Sequence, residues 1–367
     1  MPVVVFVLAG AVFAQGTSEF MLSGLLPQIA AACHVSLAAA GALTSLFAVG
    51  MVLGAPGMAM VAGVVPRRTA LLGFLGLFAA SHVAGALTTN FAILLVTRVS
   101  AAIANAGFLA VALTALPGLV GAAAIGRATS VVLAGVTLAC IVGVPAGTVL
   151  GQAFGWQAAF WAVAVLAGLA LLALVLSPRG SRSATTGAVT TEWRVLRDRR
   201  LLGTVGLGVL VNGGTFAGFT YLGTIVGEVT GAHSGWIPVA LALFGVGSFL
   251  GVTFGARVPV LALTGVWVVT ALVAHVLGAL LVCVVFAGAG AFGVGSVLIA
   301  TIVRRASPTA PRVAGAIATT AFNLGAVLGP AVAALVVTDA AHANAALWVS
   351  AALTGVAAAA RMIRVPG

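Results

Sequence analysis

Residues 15–21 read Gln-Gly-Thr-Ser-Glu-Phe-Met and lie within an apolar run that extends from Pro2 to Pro27. A run of this length can cross a bilayer, because about 20 apolar residues at 1.5 Å each span the ~30 Å hydrocarbon core. Glu19 falls inside the run, where a charged group costs about 2.5–3.5 kcal/mol or more. An acid kept at that cost is a candidate functional residue.

The composition excludes a soluble protein. Hydrophobic residues make up 62% of the 367 residues, charged residues make up 6%, and the mean hydropathy is +1.27. Soluble domains carry about 25% charged residues. The apolar runs lack the two-residue alternation of barrel strands, so they indicate helices.

We predict an all-α membrane protein with about twelve transmembrane helices in two pseudo-symmetric six-helix bundles. A polar connection at residues 178–200 separates an N-terminal bundle at 1–177 from a C-terminal bundle at 201–367. The predicted spans lie at residues 3–27, 37–61, 69–88, 91–116, 128–150, 157–177, 201–226, 236–256, 259–276, 279–303, 313–338 and 343–360.

The net charge of +11 could suggest a nucleic-acid partner, but the placement of the arginines argues against one. They occupy alternate connections and the C-terminus, as orientation in a membrane requires. We therefore expect a protein of the cell (inner) membrane, and the positive-inside rule predicts that both of its termini lie in the cytoplasm. Outside residues 178–200, these arginines are Arg67, Arg68, Arg127, Arg257, Arg304, Arg305, Arg312, Arg361 and Arg364.

An internal repeat supports the two halves. Residues 46–54 (LFAVGMVLG) in the second predicted span match residues 243–251 (LFGVGSFLG) in the eighth. Gly143 and Pro145 in the fifth span have a looser counterpart in the Gly329-Pro330 pair of the eleventh. Paired halves of this kind are typical of transporters whose halves rock about a site at the membrane midplane.

Arg98 is the only arginine inside a predicted span, and counting residues from the span ends puts it at the depth of Glu19. Charges within a membrane usually pair or line a water-filled cavity. We therefore predict that Glu19 and Arg98 couple protons or substrate to movement. The alternative is a fixed salt bridge that only orients two helices.

Other polar and aromatic residues extend this predicted cavity. Helical spacing puts Gln15 on the face of Glu19 and Asn105 on the face of Arg98. The alternative for each amide is a hydrogen bond between helices. The full set predicted to bind substrate is Gln15, Glu19, Asn105, Asn212, Phe216, Phe219 and Asn323.

The remaining motifs bear on helix packing, metal binding and the energy source for transport. Gly143, Gly147 and Gly151, with Pro145 among them, predict a close helix approach and a bend. The cysteines and histidines show no metal-ligand spacing, and we interpret His82 as a quiet histidine near the membrane interface. The chain has no lysine and so no P-loop, which excludes ATP-driven transport within it. We expect no enzyme activity, metal or cofactor.

Over essentially its whole length, the chain resembles the twelve-span drug:proton antiporters of the major facilitator superfamily. Two segments carry the most specific resemblance. Residues 13–27 (FAQGTSEFMLSGLLP) are similar to actinobacterial chloramphenicol efflux proteins, as are residues 143–151 (GVPAGTVLG) with the following 155–161. The resemblance implies that Glu19 is the proton and cation site and that Arg98 assists proton coupling. It also implies that the motif of Gly143, Pro145, Gly147 and Gly151 marks an exporter.

The loop after the second span departs from the family pattern. Gly63 and Val64 stand where the family has an Asp-Arg pair, which leaves Arg67 and Arg68 for the predicted cytoplasmic gate, and Gln157 replaces an arginine. We expect a monomer that exports a small, largely apolar antibiotic, chloramphenicol or a similar compound, across the lipid bilayer in exchange for protons. Efflux of sugars or other metabolites is one alternative. A non-transporting membrane sensor is the other, suggested by the altered loop.

Overall fold

A computed structural model describes residues 1–61, 65–177, 192–254, 258–310 and 313–363. Regular secondary structure in these ranges is helical throughout. Several residues that the sequence predictions name lie outside the described ranges: Gly63, Val64, most of the 178–200 connection, Arg257, Arg312 and Arg364.

The first half of the described chain, residues 1–177, forms eight α-helices. They are α1 (Val3–Phe20), α2 (Leu26–Ala32), α3 (Leu37–Val61), α4 (Arg67–Ala86), α5 (Phe91–Leu119), α6 (Ile125–Leu138), α7 (Val144–Phe154) and α8 (Gln157–Leu176). A 3-10 turn at Met21–Gly24 leads from α1 towards α2, and a π turn at Ala139–Gly143 joins α6 to α7.

The second half, residues 192–363, begins with a 3-10 turn at Glu192–Arg197. Six α-helices follow: α9 (Arg199–Thr224), α10 (Trp236–Phe254), α11 (Val260–Leu272), α12 (Leu277–Ala306), α13 (Ala314–Ala334) and α14 (Ala345–Ile363). A π turn at Ile225–Val229 extends α9.

Ten helical segments among the described residues are long and apolar enough to cross a membrane. Two shorter apolar helices, Val260–Leu272 and Ala345–Arg361, occupy the places of the ninth and twelfth predicted spans. The observed α11 is therefore shorter than the predicted segment 259–276. Within these limits the predicted spans match the helices of the structure.

The first span is not the continuous helix that the sequence predicts over residues 3–27. Its α-helix ends at Phe20, a 3-10 turn follows, and α2 starts at Leu26 with Pro27 in its first turn. Proline has no backbone N–H to donate to the preceding turn, so the α-helical ladder cannot run unbroken through residue 27. The break follows Glu19 directly and leaves that residue in the last turn of α1.

The glycines of the internal repeat make equivalent contacts in the two halves. A Cβ atom on Gly50 would lie 2.6 Å from the Val99 oxygen of α5, and one on Gly54 would lie 3.1 Å from Ile103 Cα. At the matching positions of α10, a Cβ atom on Gly247 or Gly251 would overlap the backbone of α12, at Val285 and Ala289 respectively. In each half the second long helix thus packs on the fourth through glycines, because only glycine permits backbones to come this close.

The two halves pack on each other along α3 and α13, and they also meet at one end of the molecule, which we call the arginine-poor end. It holds the connections at residues 33–36, 87–90, 230–235 and 335–344. Two hydrogen bonds join the halves among the described residues: Ser45 Oγ donates to the Val327 oxygen at 3.1 Å, and Gln152 Nε2 donates to the Ser234 oxygen at 2.8 Å. Gln152 lies near the end of α7 at the arginine-poor end, and Ser234 lies in the loop before α10.

Glycine permits a close backbone approach between the halves at this end. Gly223 of α9 packs on the 3-10 turn that follows α1, where a Cβ atom would overlap the Ser23 oxygen and lie 3.1 Å from Gly24 Cα. Nearby, a Cβ atom on Gly41 of α3 would lie 2.6 Å from the Tyr221 hydroxyl. We call these four residues and Tyr221 the glycine seam. Its contacts hold the arginine-poor end of the two halves together.

Candidate functional site

Arg98 lies in the third turn of α5, whose start is fixed by Asn90. The Asn90 side chain caps the helix, accepting from the backbone N–H groups of Ala92 and Ile93 at 3.0 and 3.2 Å. Arg98 is 1% exposed, and its guanidinium lies against α1. Nη1 donates to Ser18 Oγ at 2.8 Å, and Nη2 donates to the Ser18 carbonyl at 2.9 Å. The depth predicted for Arg98 relative to α1 is thus the depth observed.

The guanidinium has one further contact and one unused donor. Its Cζ atom lies 4.3 Å from the centre of the Phe47 ring on α3, within the range of a cation–π interaction. Its Nε atom is buried and has no hydrogen-bond partner among the described residues. No ion pair of 4.0 Å or shorter joins Arg98 to Glu19, although both residues are described. The fixed salt bridge considered as an alternative is therefore not formed in this structure.

Glu19 faces the interior of the first half. Its carboxylate is within electrostatic reach of Arg98 and of Cys140 in the π turn, and it interacts with the side-chain amide of Asn105 on α5. The residues on either side of it, Ser18 and Phe20, are buried, whereas Glu19 itself is only partly buried. The carboxyl group is thus directed inward and remains partly accessible, as a group that exchanges protons must be.

Gln15 lies one turn before Glu19 on α1 and is 1% exposed. Neither its Nε2 nor its Oε1 atom has a hydrogen-bond partner among the described residues. A buried amide left without partners costs about 1–3 kcal/mol, so such groups usually have a water or ligand that satisfies them. Gln15 can therefore donate to and accept from a molecule that enters the interior next to Glu19.

An aromatic cluster lies beside this polar group and spans the two halves. The Phe20 ring of α1 packs 5.8 Å from the Phe216 ring and 5.9 Å from the Phe219 ring of α9, measured between centroids. Phe219 in turn packs 4.8 Å from Phe244 of α10. Sequence analysis predicted Phe216 and Phe219 but not Phe20, which follows Glu19 directly. The cluster provides an apolar wall next to the charged groups.

Two of the predicted binding amides are already hydrogen-bonded within the protein. Asn212 Nδ2 donates to the Phe322 oxygen of α13 at 2.6 Å, which joins two helices of the second half. Asn323 Nδ2 donates to the Thr319 oxygen one turn earlier in its own helix, at 3.0 Å. For Asn212 the structure thus shows the interhelical hydrogen bond that was the alternative to substrate binding.

The interpretation of His82 as a quiet interface histidine is wrong. His82 of α4 is 1% exposed, and its Nε2 atom lies 2.6 Å from Ser18 Oγ, the hydroxyl that Arg98 also contacts. Sequence analysis overlooked Ser18 altogether.

The glycines of the fifth predicted span pack against the first. A Cβ atom on Gly143 would overlap the Thr17 side chain, one on Gly147 would lie 3.6 Å from Met21 Cβ, and one on Gly151 would overlap the Leu25 side chain. Pro145 follows the π turn at the start of α7. The predicted close approach and interruption of the helix are both present, and they fix the backbone that carries Glu19.

Arg68 makes a contact within the first half. Its Nη2 atom donates to the Val175 oxygen at 2.6 Å, near the end of α8. This hydrogen bond joins α4 to α8, and it does not reach the second half. A gate role for Arg67 and Arg68 remains a prediction.

The site combines charged, hydrogen-bonding and aromatic groups. Among the described residues, no group of three or more His, Cys, Asp or Glu side chains could hold a metal ion. What the geometry brings together is one partly accessible acid, one buried arginine, an unpaired amide and an aromatic wall.

Comparison with known proteins finds relatives that match most of the chain. A sequence profile for the Major Facilitator Superfamily matches residues 8–261. A chloramphenicol resistance protein of Streptomyces lividans is 46% identical over 372 aligned positions, covering 97% of this chain and 95% of that protein. The inner membrane transport protein YdhP of Escherichia coli (strain K12) is 31% identical, covering 90% of this chain and 87% of its own.

Solved structures share the fold at low sequence identity. A bacterial homologue of the human lysosomal transporter Spinster, in an inward-facing and unoccupied conformation, superposes with a TM-score of 0.76 at 15% identity, covering 98% of this chain and 95% of its own. The nucleoside transporter NupG gives a TM-score of 0.77 at 14% identity and 98% coverage of both chains. These proteins, the matching profile and the helical membrane fold lead to one conclusion: the chain belongs to the major facilitator superfamily of membrane transporters.

Proposed function

We propose that the protein exports a small, largely apolar antibiotic, chloramphenicol or a similar compound, in exchange for protons. The observation that carries the proposal is the partly accessible Glu19 carboxyl group inside the first half, with no ion pair to Arg98. A carboxyl group tied into a salt bridge could not readily change its protonation, whereas this one is free to do so. The 46% identity to a chloramphenicol resistance protein supports the substrate class.

The surroundings of Glu19 suit such a compound. The unpaired Gln15 amide and the Asn105 amide offer hydrogen bonds, while Phe20, Phe216 and Phe219 offer an aromatic surface. Pockets that combine an apolar wall with a few polar groups bind small, partly apolar molecules. The alternative of sugar efflux would call for more hydrogen-bonding groups than this cluster provides.

The proposed architecture is a pair of six-helix bundles, residues 1–177 and 201–367, joined by a cytoplasmic connection at 178–200. The ten long spans and the two shorter apolar helices together would make twelve crossings. Equivalent glycine contacts at Gly50 and Gly247 support the pseudo-symmetry. We further propose a monomer in the cell membrane with both termini on the cytoplasmic side, which the positive-inside rule favours.

In the proposed cycle, Glu19 takes up a proton when the site opens outward. When the site opens inward, arriving drug displaces that proton, and Glu19 loses it to the cytoplasm. The glycine seam of Ser23, Gly24, Gly41, Gly223 and Tyr221 acts as the outer gate and must separate as the bundles rock. Drug and proton shift the two states only by their differential affinity for each.

The test is drug-triggered proton release from the purified protein in detergent, measured between about pH 3.5 and about pH 9, a range that includes the ordinary glutamate pKa of about 4.3 and extends well above it. We expect chloramphenicol to release protons from the wild-type protein and not from Glu19→Gln. Release that persists in Glu19→Gln would remove Glu19 from the mechanism.

Parallel titrations separate the other two functions. Release triggered by sugars but not by chloramphenicol would establish metabolite efflux instead. No release with either class of compound, together with unchanged drug resistance of cells that express the protein, would favour the membrane sensor.

A further inference from the structure

A chain of hydrogen bonds runs from Arg98 through Ser18 and His82 to the backbone of α4. Arg98 Nη1 lies 2.8 Å from Ser18 Oγ, Ser18 Oγ lies 2.6 Å from His82 Nε2, and His82 Nδ1 lies 2.8 Å from the Phe78 carbonyl oxygen. Arg98, Ser18 and His82 are all buried. The chain therefore links α5, α1 and α4 beside Glu19, away from water.

The chemistry of the groups fixes the direction of every hydrogen bond in the chain. The Phe78 carbonyl can only accept, so His82 Nδ1 carries the hydrogen. In a neutral imidazole Nε2 then accepts, and the Ser18 hydroxyl donates to it. The Ser18 oxygen therefore turns its lone pairs towards Arg98, which can only donate. His82 thus sets the orientation of the hydroxyl that receives the guanidinium.

Packing holds the His82 ring in place. The imidazole centroid lies 4.3 Å from that of Phe78 and 5.8 Å from that of Phe160, and both rings are almost fully buried. Since the ring cannot turn freely, its Nε2 atom stays directed at Ser18. At 1% exposure, His82 itself is closed to a transported molecule.

Few other ionisable groups can influence Glu19. Within reach of it are Arg98 from α5 and Cys140 from the π turn, while His82 from α4 contacts the adjacent residue Ser18. The other helices packed on α1 are α3, α6, α7 and α8; the described part of these contributes only Arg127, which is exposed at the far end of α6. Tyr221 of α9 packs on Gly41 in the glycine seam. Movement of Arg98 is therefore the main electrostatic variable at the carboxyl group.

We propose that Ser18 and His82 are positioning residues that hold Arg98 away from ion-pair distance of Glu19. The inference rests on the proposed function, in which Glu19 carries the proton. With Arg98 held on Ser18 and over the Phe47 ring, Glu19 keeps its proton until drug arrives. Without the hydrogen bonds to Ser18, the Arg98 guanidinium, whose Nε donor is unused, would turn towards the Glu19 carboxylate. A closer cation favours the ionised acid, so Glu19 would release its proton at lower pH.

The test measures the pH midpoint of chloramphenicol-triggered proton release in four variants of the full chain. His82→Phe keeps a ring but removes the acceptor, and we expect the midpoint to fall by about one pH unit. Ser18→Ala removes the hydroxyl, and its midpoint should fall similarly. The double variant should fall no further than either single one, because both changes break the same chain. His82→Gln supplies an amide oxygen in place of Nε2, so its midpoint should return towards that of the wild type.

Ser81→Ala is the matched control. Ser81 neighbours His82, but its hydroxyl bonds to the Leu77 oxygen and to Ser100 Oγ, outside the chain. Its midpoint should equal that of the wild type. An unchanged midpoint in Ser18→Ala, with His82→Phe either unchanged or unfolded, would overturn the positioning role while leaving the proposed function standing. Absence of release from the wild-type protein, or full release from Glu19→Gln, would overturn both.

Discussion

Phe47 and Phe244 occupy the same place in the repeat that the two halves share, but they meet different partners. The Phe47 ring lies 4.3 Å from the Arg98 guanidinium, whereas the Phe244 ring packs 4.8 Å from the Phe219 ring. The glycine contacts of the repeat align Val99 with Val285, so the counterpart of Arg98 in the second half is Val284. One helix framework thus surrounds a buried cation in the first half and an apolar side chain in the second.

The contrast extends to the other charged groups. In the first half Arg98 and His82 are buried and Glu19 is partly buried. In the described part of the second half, Asp198, Glu228 and Asp339 are exposed, as are the Arg and His side chains. Under the proposed function, the first half would carry the proton, and the second half would supply Phe216 and Phe219 of the aromatic wall for the drug. Each of the following predictions tests one part of this proposed division between the halves.

The largest effect is expected for Glu19→Gln, which removes the one partly buried acid of the first half. Proton-driven export should fall to background, because the amide cannot release a proton, while membrane insertion should be unaffected. The measurement is chloramphenicol accumulation in cells with and without a protonophore. Glu228→Gln, at an exposed acid of the second half, is the matched control and should export normally. Equal loss in both variants would break the contrast between the halves.

The next largest effect is expected at the seam that joins the halves. In Gly223→Ala the new Cβ would overlap the backbone of residues 23 and 24, at a cost of about 1–3 kcal/mol to the state closed at the arginine-poor end. Export should therefore slow by roughly fivefold or more. Gly265→Ala is the matched control, since a Cβ there meets nothing within 4 Å. Normal export by Gly223→Ala would show that the seam need not close during transport.

A moderate effect on drug binding is expected for Phe216→Leu in the aromatic wall. Loss of ring contacts worth about 0.5–1.5 kcal/mol should raise the drug concentration for half-maximal proton release by about two- to tenfold. The pH midpoint of release should not move, because the change lies in the half without buried charge. Phe249→Leu, at a ring that is 47% exposed, should leave both quantities unchanged. A shifted midpoint in Phe216→Leu would show that the second half also tunes the proton.

The smallest effect is expected in an exposed loop of the second half. The hydrogen bond from the His342 side chain, together with one from its backbone N–H, lowers the pKa of Asp339. A lowered pKa stabilises the folded state above the unfolded-state pKa of about 3.9, and this contribution is lost as the pH falls through the folded-state pKa. Asp339→Asn should export normally, because residue 339 lies in an exposed loop outside the proposed site. Its thermal unfolding midpoint should be marginally lower at neutral pH and converge with that of the wild type on acidification.

Much of the site could be predicted from depth alone. Glu19 and Arg98 were found because a charge in an apolar run is conspicuous, and counting residues from the span ends gave their level. Gln15 and Asn105 followed from helical spacing. Depth and spacing did not reveal Phe20 or Ser18, because a residue next to a conspicuous one lies on a different helix face, and its partner depends on the neighbouring helix.

The sequence by itself determined the class of the protein and the places of its spans and membrane charges, since length and the cost of burying charge fix these without reference to packing. Only the tertiary structure decided that Arg98 bonds Ser18 and not Glu19, that His82 completes the chain, and that Asn212 is committed to α13. Hydrogen-bond partners are selected within about 3 Å, and small rotations of packed helices, which no residue count specifies, bring one atom or another within that distance.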